Sequence, residues 1–446
     1  DPSVVVLSAD LGDSTRAIWF KREFPDRYVE VGVAEQNLAT VGSGMANEGK
    51  IPFFEPRLQE LVTHNTENNR LSFSNDLHPH LKKATVIFIA VGTPQSETGE
   101  ATLTYVDQAV DEILEGLSTL DFKTPKIIVT KSTVPVGTGA RIQEKITQKG
   151  LTNVFVASNP EFLREGSAVY DFFHPDRIVI GCESEVAFKS LLKLYGPLYR
   201  NNIPIVETDI KSSELSKYAS NAFLAVKISF INDIAKLCES VGANVKDVAS
   251  IMGKDNRIGK YFLHPGPGYG GSCFPKDTKA LLHIAKTNGA KLHLVQAAET
   301  VNEDQINHVI KNIKSRFSDG VSGKRIGILG VSFKPQTDDI RESSSIKIIR
   351  ELLKEGAIVQ ATDPKALENA RAEISDPNLT FTSKIEDVYT QADALLLLTE
   401  WNEYRELDLA GIKEGMNTPL FFDIRGVYSK SVLQDAGFEC YVIGQS

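Results

Sequence analysis

The stretch Thr85-Val-Ile-Phe-Ile-Ala-Val-Gly-Thr-Pro94 decides the fold class. Its apolar residues run without alternation and stop at a Gly-Thr-Pro turn. A short, continuous run rich in Val and Ile is what a strand buried on both faces of a parallel sheet requires. The same signature recurs at Val4–Ser8, Tyr28–Val33, Lys126–Thr130, Val154–Ala157 and Arg177–Ile180. Helical stretches separate these runs, which is the βαβ rhythm of a doubly wound domain. Open α/β sheets bind ligands beyond the carboxyl ends of their strands. That rule singles out Gly92 and Thr93 after one strand, and Ser132 and Thr133 of Ser132-Thr-Val-Pro135 after another. A plain strand-end turn explains either segment equally well.

From about Ser212 to Gly242 the pattern changes. Leu215, Tyr218, Ala219, Ala222, Phe223, Val226, Ile231, Ile234 and Leu237 recur at helical spacing without Pro or Gly, so a long helix is expected. More helix is expected to about Met252 and from Thr278 to Phe317. The strand rhythm resumes at Arg325-Ile-Gly-Ile-Leu-Gly330 and continues at Ala357–Thr362, Ala394–Thr399 and Leu420–Phe422. The expected architecture is α/β: two doubly wound, Rossmann-like domains over residues 1–208 and 319–446, joined by a helical region over 209–318 that also forms an oligomer interface. Asp319-Gly-Val-Ser-Gly323 reads as a linker.

The bulk composition agrees. The chain has 446 residues, 41% hydrophobic and 24% charged, enough to bury a large core. Its net charge of −9 argues against nucleic acid or an anionic membrane as partner. There is no apolar run of membrane-spanning length and no basic-then-apolar leader. Cys182, Cys238, Cys273 and Cys440 are dispersed, which indicates neither a metal site nor a disulfide framework. A reducing, cytoplasmic setting is expected.

Chemistry concentrates in Gly266-Pro-Gly-Tyr-Gly-Gly-Ser-Cys-Phe-Pro-Lys-Asp277. Cys273 follows a glycine-rich run through which a ligand can approach the backbone. Lys276 offers nearby positive charge for a thiolate. The competing reading is an inert, buried Cys in a flexible loop. Lys217 and Asn221 share a helix face, and Glu161 and Glu165 of Asn159-Pro-Glu-Phe-Leu-Arg-Glu165 stand at the same spacing of four; solvated surface residues would show the same spacing. Phe333-Lys334, Arg341, Arg257 and Arg425 are candidate anion ligands.

Together these segments resemble the UDP-glucose 6-dehydrogenase family, from about Asn47 to the carboxyl terminus. The resemblance is carried by Ile51-Pro-Phe-Phe-Glu-Pro56, Val91–Pro94, Lys131–Pro135, Asn159–Gly166, Glu214–Asn221, Gly266–Asp277, Phe333-Lys-Pro335 and Asp339-Ile-Arg-Glu-Ser343. It implies a four-electron oxidation of UDP-glucose to UDP-glucuronate with two NAD. Cys273 would form a thiohemiacetal and then a thioester. The resemblance assigns Lys217 to oxyanions, assisted by Asn221. Asp277 and Thr133 would position water and protons, and Glu161 would act in hydrolysis. Phe162, Leu163, Arg257, Phe262, Gly270, Phe333, Lys334 and Arg425 match substrate-binding positions, with Arg257 reaching a neighbouring subunit. Gly92, Thr93, Ser132, Thr133, Glu165, Lys276 and Arg341 match cofactor positions. A homodimer or larger homo-oligomer is implied, and no metal.

The first 48 or so residues depart from that pattern. Where the family carries Gly-x-Gly-Tyr-Val-Gly, this chain has Ser8-Ala-Asp-Leu-Gly-Asp13. The opening instead resembles the pyrimidine-binding domain of transketolase, through Asp10–Thr15, Phe24-Pro-Asp-Arg-Tyr28 and Val31-Gly-Val-Ala-Glu-Gln-Asn37. The remaining thiamine machinery is missing, so thiamine chemistry is not expected and the chain reads as a chimera. Helices near Ser14–Phe24 and Gln36–Asn47 would complete a βαβα unit. Glu35 would then stand near where a ribose-binding carboxylate is expected. Two rival functions follow: a UDP-sugar-binding protein with impaired oxidation, and a dehydrogenase of another nucleotide sugar such as GDP-mannose.

Overall fold

The computed structural model describes residues 4–7, 51, 53–74, 76–96, 99–199 and 203–445. The expected strand at Tyr28–Val33, the flanking helices and Glu35 lie outside the described residues. The chain divides into two compact units. One comprises Asp1–Ser220 with Lys279–Gly289, the other Asn221–Thr278 with Ala290–Ser446.

The first unit holds a six-stranded sheet: β1 (Val4–Leu7), β2 (Val86–Ile89), β3 (Lys126–Thr130), β4 (Val154–Ser158), β5 (Ile178–Cys182) and β6 (Ile205–Thr208), side by side in that order. Neighbours are parallel except β4 and β5, which pair antiparallel through Ala157–Cys182 and Ser158–Gly181. β2 shows why its run is apolar throughout. Val86 and Phe88 enter one core with Leu58, Val62 and Ala168, while Ile87 and Ile89 enter the other with Val106, Ile113 and Ile142. Each such side chain contributes about 1.5–3 kcal/mol by leaving water, so neither face tolerates a polar residue.

The second unit holds β7 (Arg325–Leu329), β8 (Ile358–Thr362), β9 (Leu379–Phe381), β10 (Ala394–Leu397), β11 (Leu420–Asp423) and β12 (Glu439–Val442) in an all-parallel sheet ordered β12-β11-β10-β7-β8-β9. Strand order reverses between β7 and β10, and ligands bind doubly wound sheets at such a point.

The long helix spans Ile210–Val241, 32 residues. The helix expected from Thr278 to Phe317 is two helices, Phe274–Thr287 and His293–Lys314. The break contains Gly289 at φ +70°, a conformation that ends a helix at little cost for glycine. Among the described residues, no helix is long and apolar enough to cross a membrane.

Lys126, the first residue of β3, is an exception to the apolar rule. It is 1% exposed. Its ammonium donates to Leu81 O and Lys82 O at 2.9 Å, and to Ala84 O. Those carbonyls lie at and just past the end of helix His78–Leu81, where they lack helical partners. Burial pushes the Lys126 ammonium down to about 8. Lys126→Met should lower unfolding stability by about 3 kcal/mol, because buried carbonyls lose their donor. Urea denaturation measures this; a loss below about 0.5 kcal/mol would show that the carbonyls do not need the lysine.

Candidate active site

In the first unit, the turns after β2 and β3 are tied together. Thr93 Oγ1 donates to Thr133 O at 2.9 Å, and Ser132 Oγ donates to Val91 O at 2.6 Å. Both hydroxyl-bearing residues are buried and Gly92 is half-buried. The structure therefore joins four of the candidate cofactor contacts at the carboxyl ends of two adjacent strands. Their hydroxyls hold the turns in shape.

The segment after β4 supplies an ion pair. Glu161 Oε1 lies 3.0 Å from Lys217 Nζ, while Glu161 Oε2 accepts the Leu163 amide at 2.6 Å. Lys217 is 4% exposed. The Phe162 ring has Arg177 Cζ at 3.8 Å and Lys217 Nζ at 5.6 Å from its centroid, close enough for a cation–π attraction. Glu165 is half-buried in the same segment.

Lys131 joins this group, although sequence reasoning gave it no role. Its Nζ donates to Asn159 Oδ1 at 3.1 Å, and Tyr195 donates its hydroxyl to the same oxygen. Asn159 is anchored in turn by donating to Val179 O at 2.7 Å. Burial pushes the Lys131 ammonium down to about 8; Glu161 opposes this and Lys217 adds to it. Arg177 and Tyr195 were missed as well. Their contacts depend on residues distant in sequence, so no local pattern marks them.

In the second unit, Cys273 immediately precedes helix Phe274–Thr287. It is half-buried, whereas Cys182, Cys238 and Cys440 are buried. A helix amino terminus favours negative charge, and so a thiolate. One turn on, Asp277 is 1% exposed and accepts from Asn221 Nδ2 at 2.5 Å and from Lys276 Nζ at 2.7 Å. Lys276 was expected to offer its charge to the thiolate; its ammonium pairs with Asp277. Asn221 lies one turn beyond Lys217 on helix Ile210–Val241, so the expected shared face is present.

The glycines before Cys273 also make room for protein. A Cβ on Gly270 would lie 2.4 Å from Glu342 O, and one on Gly271, at φ +81°, would lie 2.7 Å from the Phe333 ring. The Gly271 amide donates to Arg341 O at 2.9 Å. The run thus admits protein, specifically the segment that follows β7. Arg425 closes the group by donating to Leu398 O at 2.7 Å and Phe333 O at 2.9 Å, with Glu400 at 3.1 Å. Phe333, Lys334 and Arg425 follow β7 and β11, beside the point where strand order reverses. Phe262 adopts φ +63° and packs its ring 6.0 Å from that of Phe274. The Arg257 and Arg341 guanidiniums pair with Asp255 and Asp339.

The profile described as UDP-glucose/GDP-mannose dehydrogenase family, NAD binding domain, matches residues 29–199; the central domain matches 211–304 and the UDP binding domain 327–430. The transketolase pyrimidine binding domain matches residues 1–56. The two matches overlap, so the dehydrogenase pattern begins earlier than the junction expected near residue 48. The chain is 45% identical over 402 residues to a UDP-glucose 6-dehydrogenase of Rhizobium meliloti, covering 89% of this chain and 90% of that one. It is 44% identical over 400 residues to UDP-glucose 6-dehydrogenase YwqF of Bacillus subtilis, covering 89% of each. Among solved structures, a UDP-glucose dehydrogenase from Pyrobaculum islandicum superposes with TM-score 0.88 at 33% identity, covering 100% of this chain and 98% of that one.

The Lys131 site has a measurable consequence. An ordinary lysine holds its proton to about 10.5, against about 8 here. Between those values the unfolded chain binds more protons than the folded one, so this group makes stability rise with pH. Lys131→Met should remove that rise. Its stability relative to wild type should be highest below pH 8 and should decline toward pH 10.5, by chemical denaturation across that range. A pH-independent difference would mean that Lys131 titrates as an ordinary lysine.

Proposed function

Because the chain belongs to the UDP-glucose/GDP-mannose dehydrogenase family, we propose that it oxidises UDP-glucose to UDP-glucuronate with NAD as acceptor. The observation that carries this reading is Cys273, half-buried at a helix amino terminus and one turn from the Asn221–Asp277–Lys276 chain. NAD, when bound, accepts the hydrides. Cys273 Sγ adds to the carbonyl carbon of the aldehyde produced by the first oxidation. Loss of the second hydride leaves a thioester, and water releases the carboxylate and restores the thiol. Lys217 donates to the oxyanions, which gain most from a preset donor in a water-poor site. Glu161 holds that ammonium and acts in hydrolysis. Asn221, Asp277 and Thr133 orient water and protons. Covalent capture keeps the aldehyde from escaping.

Phe162, Leu163, Arg257, Phe262, Gly270, Phe333, Lys334 and Arg425 are assigned to UDP-glucose. Gly92, Thr93, Ser132, Thr133, Glu165, Lys276, Arg341 and Glu35 are assigned to NAD. The tied turns after β2 and β3 fit a dinucleotide. The sequence after β1 fits it less well, because Asp10 and Asp13 stand where the family places phosphate-binding glycines. That departure supports weak NAD binding with UDP-glucose binding intact.

The oligomer reading rests on one helix face. Phe223, Phe230, Leu237 and Val241 are 65%, 48%, 55% and 65% exposed and recur at heptad-like spacing. An exposed apolar stripe of this kind suits a matching surface on a second copy. Phe230→Glu should shift the protein to a monomer in sedimentation velocity; an unchanged oligomer would reject this face as the interface.

The catalytic reading is tested by NADH absorbance together with calorimetry on the full chain. UDP-glucose should bind in the absence of NAD, and NADH should form only at raised NAD concentration. Cys273→Ser should lose acid formation by at least about 10³-fold while UDP-glucose binding persists. Equal acid formation in that variant would overturn covalent catalysis. NAD binding without UDP-glucose binding would overturn the substrate assignment.

A further inference from the structure

Helix His293–Lys314 carries Glu299, Asn302 and Gln305 three residues apart, and all three face the glycine-rich loop. Gln305 Nε2 donates to Gly266 O at 2.9 Å, and the Gly266 amide donates to Asn232 Oδ1 at 2.9 Å. Asn302 grips the next tyrosine on both sides: it accepts from the Tyr269 amide at 2.7 Å and donates to Tyr269 O at 3.2 Å. Glu299 Oε1 accepts from the Tyr269 hydroxyl, and from Thr278 Oγ1 at 2.6 Å in the helix that follows Cys273.

These contacts are poor choices for stability alone. Asn232 and Gln305 are fully buried, with Ile231, Ala235 and Val309 buried beside them in sequence on their two helices. Asn232 Nδ2 and Gln305 Oε1 have no hydrogen-bond partner among the described residues. A buried amide with one atom unsatisfied costs about 1–3 kcal/mol, which a single bond to the Gly266 peptide group, worth about 0.5–1.5 kcal/mol net, does not recover. What the amides add is direction, because each fixes a peptide group of the loop. Gly270 and Gly271, with no room for a Cβ, lock the remainder of the loop.

We propose that Asn232, Asn302 and Gln305 are positioning residues, an amide clamp that sets the loop backbone and thereby the direction in which Cys273 presents its thiol. The proposal rests on Cys273 being the nucleophile. No residue of the clamp touches the reacting atoms.

The test uses hydrogen exchange of the Gly266–Cys273 segment and iodoacetamide alkylation of the full chain, without ligand. Asn302→Leu and Gln305→Leu should speed exchange in that segment by about tenfold or more. They should speed Cys273 alkylation several-fold, with Cys182, Cys238 and Cys440 still unlabelled. Asn302→Asp keeps the acceptor for the Tyr269 amide and should restore most of the wild-type exchange. That rescue separates a specific clamp from general loosening. Wild-type exchange in both leucine variants would overturn the clamp, as would Asn302→Asp behaving like Asn302→Leu. Should Gln305→Leu fail to fold, the Asn302 pair decides alone. Acid formation retained by Cys273→Ser would reject the nucleophile reading and leave the exchange result standing, so the two failures are distinguishable.

Discussion

There is no room for one carbon atom between Gly270 and the carbonyl of Glu342, nor between Gly271 and the Phe333 ring. The second unit is organised around that close approach. It brings the glycine-rich loop against the segment leaving β7, and Cys273 follows two residues later at the start of a helix. Arg425, reaching Phe333 O from beyond β11, ties a second strand end into the same group. The nucleophile candidate and three substrate-binding candidates therefore share one rigid support. A side chain at either glycine would displace them together, since packed protein shifts where it cannot compress.

Charge is handled in the same self-contained way within each unit. In the first, Glu161 carries one negative charge beside Lys217 and near Lys131. Placing one ammonium beside another is costly unless one lysine gives up its proton readily, and burial holds Lys131 below the usual lysine range. In the second, Asp277 takes hydrogen bonds from Asn221 and Lys276, which fixes both carboxylate oxygens. The Lys276 charge is consumed locally, leaving the helix terminus as the feature that favours a thiolate at Cys273.

The sequence was legible wherever burial is symmetrical. Apart from β1, which was read from Val4–Ser8 and stands at the end of the described order, the strands read from continuous apolar runs, β2, β3, β4, β5, β7, β8, β10 and β11, have neighbours on both sides. The three that escaped, β6, β9 and β12, are all at sheet edges. β6 reads Ile-Val-Glu-Thr, with Val206 45% exposed, and an edge strand open to water on one side needs no unbroken apolar run. The site was legible through motifs that lie together in sequence: the Cys273 loop, Glu161 to Leu163, and the Lys217–Asn221 face. Asn302 and Gln305 were not, because a polar row on a helix reads as a solvated face until the loop that covers it is known. The reading of Gly270 and Gly271 was incomplete for a related reason. A missing Cβ shows that something comes close, and only the fold shows what.

In the second sheet an acidic residue at a strand end is taken up by the protein itself. Asp363 follows β8, where a dinucleotide fold places the carboxylate that meets a ribose. Here its Oδ2 accepts from the Val331 and Ser332 amides and the Ser332 hydroxyl, with the Trp401 indole at 3.2 Å. Its Oδ1 accepts from the Lys365 and Ala366 amides. Both oxygens are engaged by the protein, so this carboxylate serves the loop after β7 and cannot also hold a ribose. The second sheet retains the doubly wound topology while giving up the feature that recognises a dinucleotide. Phe333, Lys334 and Arg425 stand around the reversal point, where the proposed ligand is compact and anionic. In the first unit, where residues 29–199 match an NAD binding domain, the hydroxyls of Thr93 and Ser132 shape the turns proposed to meet the dinucleotide.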